Sequence, residues 1–185
     1  ILHLGSLFVI LYILRNEIKD FLSFMPSALK KVNDRSNLKE EEKIVFFVIL
    51  ASIPTAIIGL FLEGTIIVTF YDNMHLVGTC LIITGAVIWF SKDYNDNLSF
   101  DNLSSSNAFF VGIIQGLSIL PGLSRSGLTI AFLRFFGLNP IKAARFSFLI
   151  FIPAIIGATF LKINEVSDTI EEVGLFSIIL GFSAS

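Results

Sequence analysis

AFFVGIIQGLSILPGLSRSGLTIAFLRFFGL, residues Ala108 to Leu138, is the stretch whose reading decides the fold. It holds two apolar pieces separated by a polar joint, PGLSRSG. The first piece, Ala108–Leu120, has 13 residues and would be about 20 Å long as a helix. That is too short to cross a hydrocarbon core of ~30 Å. It stops at Pro121-Gly122, a turn dipeptide. The second piece, Leu128–Leu138, is shorter still. The pair reads as two half-helices of a re-entrant hairpin, 108–138, that enters and leaves the membrane on one side.

The rest of the chain fits a membrane setting. Of 185 residues, 54% are hydrophobic and 15% are charged, and the mean hydropathy is +0.82. The apolar residues come in blocks rather than in amphipathic alternation, which indicates an all-α polytopic membrane protein. The net charge of −2 offers no general attraction to nucleic acid. The single Cys80 excludes an internal disulfide, and its apolar surroundings argue against a cysteine metal site.

The apolar blocks are Ile1–Leu14, Ile44–Leu62, Met74–Phe90, the two half-helices, Phe146–Leu161 and a last one from about Val173. The chain opens inside one apolar block and closes inside another, so it reads as an internal portion of a longer protein. Arg15–Lys43 is a polar loop with seven Lys/Arg and is expected in the cytoplasm. With a re-entrant hairpin, eleven of the 13 basic residues fall on the cytoplasmic side, including Arg134, Lys142 and Arg145. A single crossing by 108–138 would put those three outside, against the positive-inside rule.

Arg125 lies at the joint. An arginine at bilayer depth costs several kcal/mol unless it faces protein or water. Its planar fork of donors suits a phosphate. Ser124, Ser126 and Thr129 add hydroxyls, Gly122 and Gly127 permit close backbone approach, and the second half-helix directs its amides and dipole into the same place. A plainer reading has a serine capping that half-helix and Arg125 bonding loop carbonyls, but capping needs no arginine at this depth. Gln115, on the first half-helix, suits a ligand, a water or a neighbouring helix equally. None of the apolar segments contains Asp or Glu, so they lack the carboxylates that would hold Mg²⁺ or Ca²⁺.

QGLSILPGLSRSGLTI, Gln115 to Ile130, resembles the second signature of the undecaprenyl-diphosphate phosphatase family, the bacitracin-resistance membrane proteins, roughly Q-x5-P-G-x-S-R-S-G-x-T-I. LHLGSLFVILYILRNEI resembles that family's third helix, IPTAIIGLF its next one, and ARFSFLIFIPAIIGA the segment after the signature. The resemblance implies a multi-pass plasma-membrane enzyme that hydrolyses undecaprenyl diphosphate to the monophosphate and so recycles a cell-wall lipid carrier. It implies two inverted-topology repeats with re-entrant hairpins. Residues 1–185 would form one integral membrane domain, with 1–90 the remainder of the first repeat and 108–185 the start of the second.

Carried over by position, Arg125, Ser124, Ser126 and Thr129 are the expected catalytic residues, and Gln115, Gly122 and Gly127 the expected substrate-binding ones. The resemblance also implies a divalent cation, Mg²⁺ or Ca²⁺. Its ligands, with the nucleophile and base, belong to the family's first signature, E-G-x-T-E-F-L-P-x-S-S-T-G-H, expected before Ile1. The 185 residues alone are therefore expected to be inactive, with no metal ligand of their own. The expected partners are undecaprenyl diphosphate and membrane lipid, and not nucleic acid; a homodimer is compatible with the resemblance. A transporter or flippase for an anionic lipid phosphate is the alternative, because broken helices around a midplane anion site also build transporters.

Overall fold

The computed structural model describes residues 9, 11–31, 38–62, 70, 73–92, 100 and 103–161. Ile1–Leu14 lies mostly outside them, as does everything after Leu161. Six helices are described: α1 (Arg15–Lys30), α2 (Glu40–Leu62), α3 (Met74–Ser91), α4 (Ser105–Leu117), α5 (Arg125–Phe135) and α6 (Pro140–Leu161). Three of them, α2, α3 and α6, are long and apolar enough to cross a membrane. Much of their apolar surface faces outward, with Phe61 on α2 81% exposed and Ile82 on α3 74% exposed. Side chains of this kind are solvated by lipid tails rather than by water. The chain is an all-α membrane protein.

The polar stretch after Leu14, expected as a loop, contains helix α1. Its apolar residues Ile18, Phe21, Leu22 and Met25 follow the spacing of one helix face. They line an apolar cavity of about 570 Å³ against α2 and α6. The spans also extend past their apolar blocks. α2 begins at Glu40 rather than Ile44, with three glutamates in its first turn, where the helix dipole favours them. α6 begins at Pro140 rather than Phe146. There Asn139 Oδ1 accepts from the Lys142 amide at 2.8 Å, and proline suits the first helical position.

One end of the bundle gathers the polar contacts. Lys31 Nζ pairs with Glu42 at 2.9 Å, Lys142 Nζ with Glu40 at 3.1 Å, and Arg145 Nε with Glu17 at 3.4 Å. Arg134 at the end of α5 donates to the carbonyl of Lys92 at the end of α3, at 2.8 Å. Ser104 caps α4 by accepting from the Asn107 amide at 3.1 Å. Just before it, Phe100 stacks on Phe146 near the start of α6. The start of α4 and the end of α5 therefore lie at the same end as the starts of α2 and α6. The helices α4 and α5 form a hairpin that leaves this end and returns to it. Both are longer toward the N-terminus than their apolar runs: α4 starts at Ser105 through its serine cap, and α5 starts at Arg125 itself.

The core lies where this hairpin meets α2 and α6, around Val48, Ala51, Val111, Leu133, Phe146 and Ile150. The closest crossing is between α2 and α4. Gly112 packs so tightly that a Cβ there would fall on the carbonyl oxygen of Ala51. Beside it, Thr55 Oγ1 lies 2.8 Å from the Gly112 carbonyl and 2.9 Å from that of Ala51. The hydroxyl thus satisfies itself across the interface, as small and hydroxyl residues do between membrane helices.

Candidate anion-binding site

Arg125 opens α5, and Ser124 is the N-cap, its Oγ accepting from the Gly127 amide at 3.2 Å. The other first-turn amides of α5 have no intrahelical acceptor. The dipole adds positive potential at this end, so a cation here opposes it by about 0.3–1 kcal/mol. Helix stability therefore does not explain Arg125. Among the described residues no carboxylate pairs with it. Its guanidinium carbon instead lies over the Phe151 ring, 4.7 Å from the centroid. The result is a charge joined to a helix N-terminus that no carboxylate among the described residues neutralises.

Arg125 lines a cavity of about 480 Å³ formed by α2, α4, the α4–α5 joint and α6. Thr55, Gly59, Gln115, Pro153 and Gly157 line it too, and no Asp or Glu does. Gln115, only 2% exposed, donates from Nε2 to the Ile150 carbonyl at 3.0 Å. That carbonyl sits one turn before Pro153, in the stretch where a proline loosens the helical ladder. The bond fixes the amide orientation, because the flipped amide would set oxygen against oxygen. Gln115 Oε1 is then a buried acceptor with no donor among the described residues.

The structure brings Arg125 and Gln115 to one cavity and places the other expected residues around them. Ser124 is engaged in the cap, and Ser126 is exposed next to Arg125. Thr129 is fully buried; its hydroxyl donates to the Arg125 carbonyl at 2.8 Å and is bonded to Ser147 of α6. It holds the first turn of α5 from behind. Gly122 has φ +90° and lies against the Val77 carbonyl of α3, so both its backbone conformation and its contact require glycine. A Cβ at Gly127 would meet Ile88 of α3 and the Ser124 hydroxyl. These two glycines seat the joint on α3.

Thr84 and Phe151 were not among the expected residues. The Thr84 hydroxyl, on α3, donates to the Gly122 carbonyl and accepts from the Ser124 amide, both at 3.3 Å. It is buried on α3, a helix that also carries the Thr79 hydroxyl, so residue order alone does not single it out. Thr84→Val keeps the shape and removes both bonds. It is expected to cost about 1 kcal/mol of stability, read as a lower unfolding midpoint in detergent, because the joint is no longer fixed.

A comparison with known proteins matches the whole chain, residues 1–185, to the family described as bacitracin resistance protein BacA. The chain belongs to this family. Within it, the chain is 35% identical to an undecaprenyl-diphosphatase of Alkaliphilus metalliredigens over 191 residues, covering 100% of the chain and 69% of that relative. It is 37% identical to one from Desulfosudis oleivorans over 169 residues, covering 87% of the chain and 60% of the relative. A third, from Methanobrevibacter smithii, is 33% identical over 193 residues, covering 100% and 68%. The chain thus spans 60 to 69% of the length of these relatives.

The divalent cation expected for a BacA-family protein finds no ligand set here. Among the described residues no three His, Cys, Asp or Glu side chains come together. An unneutralised guanidinium in a carboxylate-free wall suits an anion, not a hard cation that needs several oxygen ligands.

Proposed function

We propose that this chain is the diphosphate-holding part of an undecaprenyl-diphosphate phosphatase of the plasma membrane, recycling the lipid carrier used in cell-wall synthesis. The observation that carries the reading is Arg125: a cation at a helix N-terminus, inside a membrane protein, in a cavity where no described residue is a carboxylate. Family membership and the undecaprenyl-diphosphatase relatives support the substrate.

In the proposed reaction a nucleophile supplied from outside the described residues attacks the terminal phosphorus, the P–O anhydride bond breaks, the bridging oxygen leaves with the lipid monophosphate, and water releases the phosphate. Arg125 and the free first-turn amides of α5 bind the phosphoryl oxygens. They stabilise the charge that builds there, an effect enlarged where water is excluded. Much of this wall is apolar, with Gly59, Leu60, Ala154, Gly157 and Phe160 close to the arginine's cavity. Gln115 lies on the same wall with an acceptor to spare. The divalent cation remains part of the proposal for the complete enzyme, on ligands other than the described residues.

The test is phosphate release by the full-length protein, purified in detergent and given undecaprenyl diphosphate with and without EDTA. The expected products are one phosphate and one undecaprenyl monophosphate per substrate, with EDTA stopping release. Intact substrate after incubation with folded protein would contradict the proposal and favour a carrier for the same lipid phosphate.

A further inference from the structure

Phe151 has no assigned role, and as a phenylalanine in an apolar span it attracts no attention. Its ring nonetheless sits under the guanidinium carbon of Arg125 at 4.7 Å. It stands one residue after Ile150, whose carbonyl takes the Gln115 amide. It stands two before Pro153, which lines the cavity. The same turn of α6 therefore touches both polar groups of the site. We infer that Phe151 is a positioning residue for Arg125, holding the guanidinium in place through its ring and leaving the N–H donors for a diphosphate; this rests on the reading of the cavity as a diphosphate site.

The physical reason is a choice between two ways of holding an arginine. A carboxylate would fix it through two parallel hydrogen bonds and would also neutralise it and occupy its donors. An aromatic ring attracts the cation through its quadrupole and consumes no N–H donor. The interaction strengthens on desolvation, which is the state of a partly buried arginine in an apolar wall. A guanidinium also carries much rotamer freedom, and a seat that restricts it in advance lowers the ordering cost of binding. Phe151 thus does for Arg125 what a carboxylate does elsewhere, without cancelling its charge. On the other side Thr129 of α5, itself bonded to Ser147 of α6, bonds the backbone carbonyl of Arg125.

The test uses the full-length protein and two readings: equilibrium binding of inorganic diphosphate by calorimetry, and KM and kcat for undecaprenyl diphosphate. Phe151→Leu is expected to weaken diphosphate binding roughly tenfold and to raise KM by a similar factor with a smaller change in kcat. Phe151→Tyr restores both. Phe151→Met fills nearly the same volume and serves if the leucine variant does not fold. The decisive comparison repeats the change beside Arg125→Ala, where Phe151→Leu is expected to alter binding by less than about twofold. Unchanged affinity in Phe151→Leu, or an equal loss with and without the arginine, overturns the inference while the diphosphate site stands. Absence of arginine-dependent diphosphate binding in the wild type overturns the site reading and the inference with it.

Discussion

Arg125→Ala in the full-length protein is expected to lower phosphate release from undecaprenyl diphosphate by at least about a hundredfold, with the folded state intact. The size follows from what the side chain does. Among the described residues it is the one cation lining its cavity and faces no carboxylate, and it adds to the positive end of α5. Removing it takes away the only full charge that the described residues offer to the phosphoryl oxygens. Little structure is lost with it, since the Arg125 contacts that shape the fold are made by its carbonyl. Arg125→Lys separates charge from geometry. An ammonium is a compact point charge that cannot repeat the planar fork. The lysine variant is therefore expected to stay at least about tenfold below wild type. Initial rates at saturating substrate, with circular dichroism to confirm folding, check both. A lysine variant at near-normal rate would reduce the role of Arg125 to charge alone.

The largest stability effect is expected at Gly112, at the crossing of α2 and α4. A Cβ there meets backbone, the Ala51 carbonyl, and backbone cannot rotate away as a side chain can. The helices α2 and α4 would have to part. That also stretches the Thr55 bond to the Gly112 carbonyl and opens the core around Val48 and Val111. Overpacking and a lost buried bond together put the cost of Gly112→Ala at about 3 kcal/mol or more. Gly85→Ala on α3 is the matched control, because nothing lies within 4 Å of its Cβ position. It is expected to be neutral or to stabilise by up to about 1 kcal/mol, the propensity difference between glycine and alanine in a helix. Thermal unfolding of both variants in one detergent checks the pair. Equal midpoints would show that the α2–α4 crossing is looser than described.

Much of this architecture was legible from residue order because membrane spans announce themselves as unbroken apolar blocks. The helices α2, α3 and α6 follow from that alone. The α4–α5 hairpin follows from two blocks too short to cross and a Pro-Gly between them. Helix α1 was read as a loop because its polar residues dominate its composition, although Ile18, Phe21, Leu22 and Met25 keep a helical face. The apolar runs start later than the helices at α2, α4, α5 and α6. Charged and capping residues belong to the helix but not to the apolar run, as at Glu40, Ser104 and Asn139.

Within the site, Arg125 and Gln115 stood out as polar residues in apolar surroundings, and the structure places both on one cavity. The division of labour among their neighbours was not legible. Thr129 bonds backward to the Arg125 carbonyl and sideways to Ser147, and Gly122 and Gly127 fit against α3; each of these depends on a segment distant in sequence. Phe151 gave no sign at all, because a ring in an apolar helix looks the same whether lipid or a guanidinium lies over it.

The central claim is that the Arg125 cavity holds a diphosphate. Its most direct test is a structure of the full-length protein with a prenyl methylene-diphosphonate, whose carbon bridge resists hydrolysis. The account predicts phosphonate oxygens within hydrogen-bond reach of the Arg125 guanidinium and of the first-turn amides of α5, with the ring of Phe151 still beneath the arginine. A diphosphonate bound elsewhere, with Arg125 paired to a carboxylate of the complete protein, would contradict it.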